Sequence, residues 1–148
     1  MASGGAEALA LLRSRSAANE PVALAILDYH MPEMDGLELA RAIGADRAIT
    51  PLRLVLLASS GWSEDRALAR SAGIEAFLAK PVRQSALYDC LATAGGLDEI
   101  GVPDGMGTDA TLAEGRAGVH VDVLVVEDNA VNQMVARRML ETLSLIHI

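Results

Sequence analysis

Six apolar residues, Val22 to Leu27, follow one another without a polar break and run directly into Asp28. A run this short and wholly apolar predicts a strand buried on both faces, as in a parallel sheet. Two similar runs recur downstream, at Leu52–Leu57 and Glu75–Ala79. The intervals carry helical spacing instead. Gly4–Ser16 places Leu9 and Leu12 on one stripe, and Leu37–Gly44 does the same with Leu37, Ala40 and Ile43. Ser63 is expected to cap a helix over 64–71, with Glu64 and Asp65 in its first turn, and Ser85–Thr93 reads as another. Strand and helix alternate, which predicts an α/β fold with a parallel sheet and right-handed crossovers. Val22, Leu24, Ile26, Leu54, Leu56 and Phe77 are the expected core.

The pattern changes after Ala94. Residues 95–118 hold seven glycines, one proline and no continuous apolar run, so 95–120 reads as a linker. Beyond it, Val121–Val126 predicts a strand ending in Glu127-Asp128-Asn129. An amphipathic helix then carries Val131, Met134, Val135, Met139, Leu140 and Leu143. No internal repeat is visible.

Composition narrows the function classes. The 148 residues are 51% apolar and 22% charged, a globular balance. A net charge of −8 argues against nucleic acid and anionic membranes as partners. The single cysteine, Cys90, forms no internal disulfide and fits a reducing compartment. Glu7 interrupts the only stretch resembling a leader, and no apolar run approaches transmembrane length. The expected location is cytoplasmic.

The candidate chemistry centres on Asp28. Strand ends are where open α/β sheets present reactive groups, and Pro32 restricts Met31 to extended geometry. On spacing alone, a nucleophilic carboxylate and a helix-capping acid are equally good readings of Asp28.

ILDYHMPEMDG, residues 26–36, resembles the acceptor strand and loop of the response-regulator receiver domain, in the style of hybrid sensor kinases. That resemblance implies a flavodoxin-like α/β fold, a parallel sheet sandwiched by helices, with Asp28 accepting a phosphoryl group from a phosphohistidine. VLVVEDNAVNQMVARRMLETL, residues 123–143, resembles the family's opening strand and helix. Residues 1–94 then correspond to a receiver lacking its first strand, first helix and most of its second strand. Residues 121–143 correspond to the missing strand and helix, and 144–148 depart from the pattern as a non-native tail. A fragment of a tandem-receiver hybrid kinase is the simplest reading. Closure of the second piece onto the first would give the family's strands in the permuted order 1-3-4-5. A 26-residue flexible linker spans roughly 25–30 Å, enough for that closure.

The same resemblance implies the site. Glu127 and Asp128 match the acidic pair that binds Mg²⁺ with Asp28, although a helix N-cap would also explain Asp128. His30 would contribute only its backbone carbonyl. Lys80, 52 residues after Asp28 and followed by Pro81 in a cis linkage, matches the lysine that reaches the phosphoryl oxygens. The family's switch hydroxyl falls on Ala58, so Ser59 would have to replace it. Phe77 matches the aromatic switch position or is simply core. Trp62 lies near the acceptor or covers a helix, and Cys90 packs a helix on the sheet. The implied partner is a histidine kinase or histidine phosphotransfer domain.

Two other classes compete: a binding-only fragment whose acids never assemble, and an aspartyl-nucleophile phosphatase. The latter needs a second acid two residues past the nucleophile. His30 stands there instead.

Overall fold

The apolar runs become parallel strands, β1 (Leu24–Asp28), β2 (Arg53–Ser59) and β3 (Ile74–Lys80), alternating with helices α1 (Gly5–Ala17), α2 (Gly36–Ala45), α3 (Arg66–Ser71) and α4 (Gln84–Ala94). The C-terminal part adds β4 (Val121–Val126), α5 (Ala130–Thr142) and a two-residue β5 (Ile146–His147). This computed structural model describes residues 1–59, 66–94, 121–142 and 146–147. The expected linker over 95–120, the Ser63 cap, Trp62 and three residues of the supposed tail lie outside that set.

The sheet order is β3-β2-β1-β4-β5, with every pair parallel. β4 lies against β1 in the register Leu24↔Val123 to Leu27↔Val126. The permuted order 1-3-4-5 is therefore realised: in the family's numbering β4 is the first strand, beside the third. The fold is the flavodoxin-like α/β sandwich. An unpaired flank on so apolar a strand as β1 would be an aggregation hazard, and β4 removes it. At β4's outer edge, Ala2 forms a parallel bridge with Val126, donating to the Val125 carbonyl and accepting from Glu127 N–H.

Alternation along the strands divides the core in two. Ala25, Leu27, Leu54 and Leu56 face α1, α2 and α3, whereas Ile26, Val55, Leu57 and Val125 face α4 and α5. Every residue of β1 is buried. Each large aliphatic chain so placed contributes about 1.5–3 kcal/mol relative to exposure. Cys90 is half-buried on α4 and packs against the second core, as its spacing suggested.

Two expectations need correction. Phe77 is only half-buried, because β3 is the edge strand of the sheet, and Arg66 sits 5.6 Å over its ring. The apolar stripe of α5 is also wider than the surface it covers. Leu140 is fully buried, but Val131, Met134 and Val135 are 64%, 65% and 48% exposed. Between α4, α5 and the sheet lies a cavity of 580 Å³.

Candidate functional site

Asp28 is the last residue of β1 and is 3% exposed. The chain turns there because Gly36 can approach it. A Cβ at Gly36 would lie 2.5 Å from the Asp28 carbonyl oxygen and 2.8 Å from Leu56 Cδ1. Asp28 does not cap the following helix. That task falls to Asp35, whose carboxylate accepts from Leu37 and Glu38 N–H while Glu38 accepts in return from Asp35 N–H. The capping alternative for Asp28 is thereby removed.

Lys80 ends β3, joined to Pro81 by a cis peptide. Its ammonium reaches past β2, 2.7 Å from Asp28 Oδ2 and 3.2 Å from Glu127 Oε2. Burial alone would lower the Lys80 pKa, but the hydrogen bonds and charges of Asp28 and Glu127 outweigh it and raise the pKa above the ordinary value.

Glu127 follows β4 and is 2% exposed. Oε1 accepts from Asn132 Nδ2 at 3.0 Å and from Asn129 N–H at 3.3 Å, and the Glu127 carbonyl accepts from Gln133 Nε2 at 2.6 Å. Asp128 is exposed and, among the described residues, makes no hydrogen bond or ion pair. The N-cap expected of it belongs to Asn129, whose Oδ1 accepts from Val131 N–H at 2.9 Å. Because α5 begins at Ala130, the cap falls one residue later than the acidic pair.

Asp28, Glu127 and Asp128 each offer a carboxylate oxygen, all within 4.8 Å of one another. Three carboxylates against one ammonium leave two negative charges, and so dense an acidic group is costly without compensation. An all-oxygen set with one exposed member suits a hard divalent cation that keeps some of its waters, as Mg²⁺ does. The residues present therefore fit the implied ion.

The remaining candidates surround this cluster. His30 is exposed, its N–H lies 3.3 Å from Asp28 Oδ1, and its ring meets Tyr29 edge-on at 4.6 Å. Ser59 is exposed at the end of β2 and stands opposite Lys80 in the ladder. Ala58, one residue earlier, is buried and offers no hydroxyl. Ser59, Lys80, Glu127 and Asn132 form the polar end of the cavity between α4 and α5. Phe77 stays on the edge strand and pairs with Leu56 in register.

Sequence reasoning missed Asn129, Asn132 and Gln133. Their signal was present only as the three amides of NAVNQ, directly after the acidic pair.

Residues 1–92 match the response regulator receiver domain family. The Chemotaxis protein CheY homolog of Campylobacter jejuni is 32% identical over 82 residues, covering 53% of this chain and 63% of that protein. Chemotaxis protein CheY1 of Helicobacter pylori is 27% identical over 82 residues, 55% of this chain and 66% of its own length. The chain thus spans less than two thirds of these relatives. A response regulator receiver domain protein from Clostridium thermocellum has a similar crystal structure. Its TM-score is 0.54 at 26% identity, covering 67% of this chain and 75% of that one. A putative response regulator from Chloroflexus aurantiacus gives a TM-score of 0.52 at 27% identity, with 64% and 74% covered.

Proposed function

Because this chain belongs to the response regulator receiver domain family, we propose that it accepts a phosphoryl group on Asp28 from a phosphohistidine. The observation that carries the reading is the convergence on buried Asp28 of Lys80, at 2.7 Å, and of Glu127 and Asp128 within cation-sharing distance. A carboxylate oxygen of Asp28 attacks phosphorus, the P–N bond breaks, and the imidazole leaves with that electron pair and takes up a proton. The product is an acyl phosphate. The charge that spreads over the phosphoryl oxygens needs fixed positive partners, and the closeness of Lys80 to Asp28 supports that role for it.

Mg²⁺, held by Asp28, Glu127, Asp128 and the His30 carbonyl, would neutralise the remaining oxygens. Its two charges match the two left uncompensated in the cluster. Ser59, opposite Lys80 in the ladder, takes the hydroxyl role vacated at Ala58. Phe77 is the aromatic that responds. The donor is a histidine kinase or histidine phosphotransfer domain. The exposed apolar residues Val131, Met134 and Val135 on α5, which starts beside the acids, offer it a surface to dock on. The parent is a cytoplasmic portion of a hybrid histidine kinase with tandem receivers, from which 121–143 opens the next module. Among the described residues, no helix is long and apolar enough to cross a membrane.

Incubation with Mg²⁺ and a small phosphodonor, followed by intact mass measurement, is expected to show one phosphoryl adduct labile to hydroxylamine. Asp28→Asn should abolish it. An adduct that survives the substitution places the chemistry elsewhere. No adduct on the wild type favours a phosphorylation-incompetent binding fragment in which the acids assemble without chemistry, a reading with which the missing hydroxyl at Ala58 also agrees.

A further inference from the structure

Glu127 differs from the other two acids in how it is held. Its carboxylate is almost wholly buried, and its two oxygens have divided duties. Oε2 faces Lys80. Oε1 faces away, toward the first turn of α5, where the shorter of its two contacts is the Asn132 side-chain amide. Without that amide, Oε1 keeps one long backbone contact. The buried group could then rotate both oxygens toward the ammonium.

We propose that Asn132 is a positioning residue that fixes the Glu127 carboxylate in the orientation offering Oε2 to a divalent cation. The inference rests on the reading that the three acids hold such an ion. Asn132 suits the task because it is a neutral donor. It satisfies a carboxylate oxygen without adding a charge that would compete with Lys80 or the ion. The Gln133 bond to the Glu127 carbonyl fixes the backbone at the same point, so the amide acts on a side chain whose root cannot drift. Asn132 also lines the cavity between α4 and α5. The clamp and the carboxylate it holds therefore both border that space.

Calorimetric Mg²⁺ titration of the whole chain tests this through a cycle of four proteins: wild type, Asn132→Ala, Glu127→Ala and the double variant. Asn132→Ala is expected to weaken Mg²⁺ binding about 10-fold, as loss of an outer partner to a ligating carboxylate does. In the Glu127→Ala background, the same substitution should change affinity by less than about 2-fold, because the group it acts through is gone. Should Glu127→Ala abolish binding, the ion-free thermal midpoints carry the same test. Asn132→Ala should then lower the midpoint of the wild type but not that of Glu127→Ala. Unchanged affinity in Asn132→Ala overturns the proposal, as do losses that simply add across the cycle. A wild type that takes up no Mg²⁺ overturns the underlying cation reading itself.

Discussion

At the scale of single residues, the site depends on atoms with no chemistry of their own. Gly36 lets the loop fold back onto Asp28, and a Cβ there would lie 2.5 Å from a main-chain oxygen that has no freedom to yield. Gly36→Ala is expected to cost about 1–3 kcal/mol, the range of overpacked cores, measured by urea unfolding. It should also slow adduct formation by displacing Asp28. Lys80 is the only lysine in the chain, which makes its ionisation separable. Its pKa in the folded protein is raised, so the stability it contributes is fully present below the unfolded value of about 10.5 and disappears as pH rises through the folded value. The wild type should therefore carry this contribution in full and without pH dependence near neutrality, and lose it in the alkaline range. In Lys80→Gln that alkaline loss should shrink to the part due to Cys90, whose thiol is pushed above its ordinary pKa by burial. An equal loss in both proteins would separate Lys80 from the effect.

At the scale of elements, what the sequence revealed depended on how local the cause was. Strand β1 was legible from its unbroken apolar run, whereas its loop and Lys80-Pro81 were legible only through the resemblance to receiver domains. The half-buried state of Phe77 was not, since an edge position follows from strand order, and strand order comes from pairings far apart in the chain. The cap of α5 was misplaced by one residue, because acidic and amide side chains cap about equally well and only the helix start decides between them. That shift has a measurable consequence. Asn129→Ala should destabilise the protein by about 1 kcal/mol through the lost cap. Asp128→Asn should leave the ion-free midpoint unchanged or raised while weakening Mg²⁺ binding. If Asp128→Asn destabilises as a lost cap would, the division of labour between the two neighbours is wrong. Asn132 and Gln133 were invisible for the same reason as the cap. Their bonds exist only once α5 begins at Ala130 and turns its first residues back over Glu127.

At the scale of the molecule, the central strand β1 draws its two neighbours from very different distances along the chain: β2 follows closely, and β4 arrives from beyond residue 120. Residues 1–94 alone should therefore be deficient. Their β1 would present an open apolar flank, and the truncated protein is expected to aggregate or lack cooperative melting by light scattering and circular dichroism. A monomeric truncation with a sharp transition would show that β4 is dispensable to the fold. The same pairing orders events in time. Ribosomes add about 5–20 residues per second, so the acids at 127 and 128 are made about 2–7 s after Ala94 completes α4. Throughout that interval this segment presents Asp28 and Lys80 without Glu127 and Asp128. Within this segment, the cluster of carboxylates around Lys80 can therefore assemble only after β4 has been synthesised.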